Sequence, residues 1–404
     1  MVSHVGSVKR DGPAVIGVDA LPALFALLQE QGRTVVGPTA RDGAIVLAEL
    51  ESADELPYGW GVDTEAGYYR LRQRDDTAAF GHSAGPQSWK SFLLPARTRM
   101  WSADREDGVV RVAEPDERPR YALFGVRPCD LRAIGVLDRV LIGGRHVEAD
   151  YGARRDGVFV VAVDCTEPGA TCFCVSMGGG PGAEAGFDLA LTEVVDGGDH
   201  RFVARAGTEA GAHVLSLLPR RDSDTETAGR AAAAVDQAAT RMGRTMPAMS
   251  LRKLMADSRE SPQWDDVASR CLTCGNCTMA CPTCFCTTTE DVTDLTGDHA
   301  ERWRVWDSCF ALDFTGMHGG QTRTSGQSRY RQWISHKLGT WYDQFGESGC
   351  VGCGRCIVWC PVGIDITQEA ASLAALLPAA SRDHAESQDH AESQDHAESQ
   401  DHDG

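Results

Sequence analysis

The chain has 404 residues, 42% of them apolar, and a formal net charge of −19. That length supports two or three domains with their own cores, and the acidic balance argues against nucleic-acid binding, which wants a basic stripe. The longest apolar stretches, 20–28 and 373–377, fall far short of a membrane span, and the polar start at 1–13 leads into no signal sequence, so a soluble cytoplasmic protein is expected.

In the first hundred residues, 21–31 has helical periodicity, 44–50 and 68–72 are strand candidates, and 87–99 reads as a turn with a short apolar element. Residues 121–126 (YALFGV) form an apolar run of strand character. It ends in Arg127-Pro128-Cys129-Asp130, after which 131–140 looks helical with Asp130 placed to cap it. A second buried strand, 158–163 (VFVVAV), ends at Asp164-Cys165. Two strong strands thus each deliver a cysteine at their carboxyl end, the edge where open α/β sheets collect ligands. Cys172-Phe173-Cys174 and a glycine-rich loop, 178–182, follow. Further strands are expected at 187–195 and 201–206, then helices at 228–241 and 248–259.

The chain then turns into a cysteine pattern. Eight of its fifteen cysteines repeat one spacing, Cys271-x2-Cys274-x2-Cys277-x3-Cys281-Pro282 and Cys350-x2-Cys353-x2-Cys356-x3-Cys360-Pro361. This is the ligand pattern for two [4Fe–4S] clusters, in which three cysteines wrap one cluster and the fourth, followed by proline, reaches across to the other. Cluster one is expected on Cys271, Cys274, Cys277 and Cys360, and cluster two on Cys350, Cys353, Cys356 and Cys281. Zinc sites prefer paired ligands, and disulfide frameworks belong to small secreted chains.

Between the motifs lie 68 residues, 282–349, which suits a mostly helical ferredoxin with an insertion. The insertion carries Cys284-Phe285-Cys286, Trp306-Asp307-Ser308-Cys309 and a basic-aromatic stretch at 329–337 (RYRQWISHK). A short helix at 367–377 ends the ordered part. The hexad His-Ala-Glu-Ser-Gln-Asp begins at His384, His390 and His396, and residues 381–404 contribute −7 of the net charge. Such dense charge reads as a disordered tail. The expected organisation is an α+β or α/β N-terminal domain (1–244), a mostly α-helical two-cluster ferredoxin-like domain (245–378), and the tail (379–404).

Seven cysteines remain. Buried packing accounts for one or two, but a repeated CxC pair is harder to dismiss that way. A third [4Fe–4S] cluster is expected on Cys129, Cys165, Cys172 and Cys174; Cys284, Cys286 and Cys309 compete for that role, or share in it. Arg127, Arg355, Arg329 and Arg331 are candidates to raise cluster potentials, against a plain surface role. No nucleotide-binding glycine motif, serine-hydrolase elbow or zinc-protease helix occurs, so no catalytic residues are assigned.

The segments FGVRPCDLRAI (124–134), CFCVSMGGGP (172–181), CLTCGNCTMACPTCFC (271–286), WDSC (306–309) and CVGCGRCIVWCPVGIDI (350–366) resemble the beta subunit of sulfhydrogenases, the soluble NADP-linked [NiFe] hydrogenases. The same signature occurs in the A subunit of anaerobic sulfite reductase. The resemblance spans roughly 85 to 370. It implies a non-catalytic electron-transfer subunit of an oxidoreductase complex. The implied partners are a flavin- and NAD(P)-binding gamma-type subunit and the small and large hydrogenase subunits, with neither nucleic acid nor membrane. Alternatives are the sulfite reductase complex, or a flavin-binding oxidoreductase in its own right using the 178–182 loop.

Overall fold

The computed structural model describes residues 12–83, 85–113, 118–314 and 316–378; the repeat tail and most of the polar start lie outside the described residues. The strands are β1 (Ala14–Gly17), β2 (Thr34–Arg41), β3 (Ala44–Glu49), the hairpin β4 (Trp60–Glu65) and β5 (Tyr68–Gln73), β6 (Arg97–Glu106) and β7 (Val109–Ala113). They continue with β8 (Tyr121–Val126), β9 (Phe159–Val163), β10 (Leu189–Asp196), β11 (Asp199–Ala206), β12 (Arg221–Asp222), β13 (Thr287–Thr293) and β14 (His299–Trp306). Eight of them form one mixed sheet in the order β12-β1-β11-β10-β9-β8-β2-β3. Its middle, β2, β8, β9 and β10, is parallel, and the flanks are antiparallel.

Every residue of β8 and β9 is buried, as continuous apolar runs require when helices cover both faces. On one face Ala122, Phe124, Val161 and Val163 pack against Leu24, Phe25 and Leu28 of the helix Leu21–Glu30. On the other, Leu123, Val126, Val160 and Ala162 pack against Leu131, Ile134 and Leu137 of the helix Pro128–Leu141. Strict alternation would send Val126 to the wrong face. The pairing of β8 with β9 shifts between Phe124 and Val126, and Gly125 takes up the irregularity at φ +90°, where a Cβ would stand 2.9 Å from the Phe80 ring. The bulge re-aims the chain as it enters Arg127 and Cys129.

A second sheet, β13-β14-β6-β7, joins a hairpin of the insertion to one from the N-terminal half. The 87–99 stretch therefore resolves into the short helix Lys90–Leu93 and the start of β6. Thr, Val and Trp in β13 and β14 suit a pleated surface, and Asp294 closes their turn by accepting from the N–H groups of Gly297, Asp298 and His299.

The remaining helices enclose a third core. Leu254, Trp264, Trp333, Ile334, Leu338, Ile357 and Leu373 meet there, with Phe173 and Met177 inserted from the N-terminal half. No helix among the described residues is long and apolar enough to cross a membrane.

Candidate iron–sulfur centres

The two motif loops repeat one backbone shape. Thr273 and Gly352, the third residues of each, have φ of 52° and 70°; Gly275 and Gly354, the fifth, have 77° and 74°. Each loop runs into a one-turn helix, Asn276–Met279 or Arg355–Val358, and the two helices lie against one another. That pairing is what lets a fourth cysteine cross. Cys271, Cys274, Cys277 and Cys360 line a single pocket with Tyr330 and Trp333. In the second loop Cys350, Cys353 and Cys281 are the thiols acting most strongly on half-buried Cys356.

Several donors already face sulfur. The Thr273 N–H donates to Cys271 Sγ (3.4 Å), the Ile364 N–H to Cys360 Sγ (3.3 Å), and Thr283 Oγ1 lies 3.3 Å from Cys281 Sγ. Among the described residues the Tyr330 hydroxyl and Trp333 Nε1 are buried without a hydrogen-bond partner, and both residues line the first pocket. Orphaned donors beside four thiols fit a cluster with acceptor sulfides. Burial pushes the Cys350, Cys172 and Cys174 thiols up to about 12, so these sites disfavour a bare thiolate and suit one neutralised by iron.

The N-terminal cysteines converge on the second loop. Cys129 sits in the first turn of Pro128–Leu141, Cys165 just beyond β9, and Cys172 and Cys174 on the loop that follows. Cys165 acts on both Cys172 and Cys174, and Cys353 and Cys174 act on Cys129. The Phe173 N–H donates to Gly352 O (2.9 Å), holding the CFC loop on the ferredoxin loop. A Cβ at Gly352 would lie 2.6 Å from the Cys174 backbone, and one at Gly354 2.4 Å from Thr171 O. Gly352→Ala combines that clash with a positive φ. We expect it to lower the thermal midpoint and the iron content together, measured on anaerobically purified protein.

Asp130 does not cap its helix. Arg127 occupies the cap position with Pro128 next, and the Asp130 carboxylate instead receives both guanidinium ends of Arg355, at 2.8 and 3.0 Å. Arg127 is buried too, donating to Phe80 O, His82 O and, at 3.7 Å, Cys165 Sγ. Arg329 and Arg331 are half-buried, bonded to Phe310 O and Arg259 O.

The two CxC pairs lie in different surroundings. Cys284 lies beside Cys281 and Cys286 beside Cys309, whereas the thiols acting on Cys172 and Cys174 are Cys165 and Cys353. Among the described residues no three such side chains converge on a single metal ion. The motif cysteines obey the same rule, since each thiolate of a cubane holds a different iron. The glycine-rich loop leads into β10 rather than a helix, so it lacks the helix N-terminus of a phosphate cradle.

The sequence reading missed Lys337, Tyr330 and Trp333 as site residues. A signal was present: Tyr330, Trp333, Ile334, Lys337 and Leu338 recur at helical spacing and all face inward. A π-turn at His336–Thr340, continuing Gly326–Ser335, carries the lysine; such turns concentrate at functional sites.

Residues 270–364, which contain both motifs, match the family described as 4Fe-4S dicluster domain. The chain is also 30% identical over 347 residues to the sulfhydrogenase 2 subunit beta of Pyrococcus furiosus, an alignment covering 85% of this chain and 93% of the relative. This chain belongs to the sulfhydrogenase beta-subunit family. The match extends well beyond the dicluster segment, so family membership embraces the N-terminal sheet as well as the ferredoxin loops. No solved structure matches. As a member of the sulfhydrogenase beta-subunit family, the protein is an iron–sulfur protein of α+β architecture.

Proposed function

We propose that the chain relays single electrons between a flavin- and NAD(P)-binding gamma-type subunit and a catalytic partner, a [NiFe] hydrogenase with its small and large subunits. One observation carries this reading: the thiol sets are contiguous. Cys356 of the second loop lines the pocket of the first set, and Cys353 is the second-loop thiol that acts on Cys129, Cys172 and Cys174, its carbonyl 4.0 Å from Cys172 Sγ.

In this reading Cys271, Cys274, Cys277 and Cys360 hold one [4Fe–4S] cluster, Cys350, Cys353, Cys356 and Cys281 a second, and Cys129, Cys165, Cys172 and Cys174 a third. Bound clusters supply one-electron redox chemistry. The chain's own residues ligate, exclude water and tune. Trp264, Phe310 and Ile357 keep the core around the first two sets dry, and Tyr330 and Trp333 offer donors. No proton or group transfer is asked of any side chain. The name of the Pyrococcus relative, a sulfhydrogenase subunit, supports the hydrogenase partnership.

The test compares iron and acid-labile sulfide of anaerobically purified wild type with a Cys172→Ser/Cys174→Ser variant. Loss of about four irons per chain, one cubane's worth, with no hydrogen uptake or NADP reduction by either isolated chain, is the expected result. Turnover by the lone polypeptide would sink the relay. An unchanged iron count would return these two cysteines to packing.

A further inference from the structure

Three sets of four leave three of the fifteen cysteines, Cys284, Cys286 and Cys309. The β13–β14 hairpin gathers them. Its stem pairs Thr287 with Trp306, and one step beyond the Asp307 N–H donates to Cys286 O (2.9 Å), which sets Cys309 beside Cys286. Cys284 lies two residues back, in contact with Cys281. All three thiols border one cavity of about 440 Å³, together with Lys337, Gln332 and His336.

An independent feature concerns charge. Two lysines flank this group and both are interior, Lys90 at 3% exposure and Lys337 at 4%. Lys90 Nζ donates to Cys284 O (3.0 Å) and sits 3.9 Å over the Trp306 ring. Lys337 Nζ donates to Thr283 Oγ1 (2.7 Å) and Gly349 O (3.1 Å). Among the described residues neither ammonium has a carboxylate partner within ion-pair distance. Buried charges need compensation, and neutral acceptors supply it only in part. Lys337 also faces Cys281 and Cys350 of the second ferredoxin set, but Lys90 faces chiefly Cys284. Beside Cys284, a carbonyl and an aromatic ring are the partners that Lys90 meets.

We propose that Cys284, Cys286 and Cys309 hold a further [4Fe–4S] cluster, with Lys90 and Lys337 as its buried counter-charges. Three thiolates make such a cluster anionic, which compensates Lys90 and shares Lys337 with the second ferredoxin set. A mononuclear ion does not suit the set, because the thiols form no convergent trio around one point. No cysteine of this chain remains for the fourth iron, so that position faces a non-thiolate ligand.

The experiment counts iron and sulfide in the full-length chain after anaerobic reconstitution, with zinc measured in parallel. Wild type is expected near 16 irons, and a Cys286→Ser/Cys309→Ser variant about four fewer, its other reduced-cluster EPR signals retained. A wild-type count near 12 or below overturns the site, and that number does not depend on how well the variant folds. Loss of one zinc per chain instead of iron overturns it equally. A wild type near 12 with the Cys172→Ser/Cys174→Ser loss intact leaves the relay standing while this site falls; lone-chain turnover does the reverse.

Discussion

Arg355→Ala is expected to destabilise the protein by about 3–5 kcal/mol, the usual consequence of stranding one buried charge of a pair. The pair is nearly dry, with both side chains 3% exposed, and its geometry is bidentate. Arg355 also donates through Nε to Gln87 O (3.1 Å) and Gly85 O (3.3 Å). One guanidinium therefore ties the second ferredoxin loop to the helix that carries Cys129 and to the chain leading into Trp89. Removing it strands Asp130 next to a cysteine and leaves two carbonyls short of a donor. Unfolding of the reconstituted protein, followed by circular dichroism and by cluster absorbance, measures the loss. The double variant Asp130→Leu/Arg355→Met is expected to recover most of it, since apolar groups of similar volume remove the desolvation penalty along with the attraction. Equal damage from the single and double variants would locate the effect in lost packing rather than in a stranded charge.

Lys337→Met is expected to lower the reduction potential of the cluster proposed on the Cys281 and Cys350 set by about 100 mV, the size of one unit charge at roughly 7 Å through an effective dielectric near 20. The sign follows from charge. Reduction adds an electron, a nearby cation stabilises the reduced form more than the oxidised one, and removing that cation makes reduction harder. Burial by itself would pull the ammonium's pKa down, but the facing thiols Cys281, Cys284 and Cys350 more than offset it, so the group stays charged. Methionine keeps most of the volume. It gives up the donors to Thr283 and Gly349, the residues that follow one motif and precede the other. An EPR-monitored redox titration reads the shift cluster by cluster. A change confined to the Cys271 set, or none at all, would refute the placement of this charge.

Much of the centre was legible in the cysteine spacing, because cluster ligation imposes local rules. Three thiols at intervals of three must wrap one cubane, and a cysteine before proline must turn away. The two loops accordingly share one backbone shape down to their positive φ angles. The apolar runs at 121–126 and 158–163 likewise determined two buried parallel strands, since an element covered on both faces has no polar positions to spare. The resemblance seen from 85 to 370 pointed to the family that the Pyrococcus relative establishes.

What spacing could not reach are the contacts between residues far apart in the chain. Asp130 read as a helix cap because local sequence supplies no view of Arg355, 225 positions away. The inward placement of Lys90 and Lys337 had no local signature, because burial of an ammonium depends on what surrounds it. The hairpin at 287–306 was passed over because its strands are completed by β6, nearly two hundred residues earlier. Local rules set by ligand and strand geometry were therefore written in the sequence itself, and only the folded chain decided which charges were buried and which sets of thiols came to lie together.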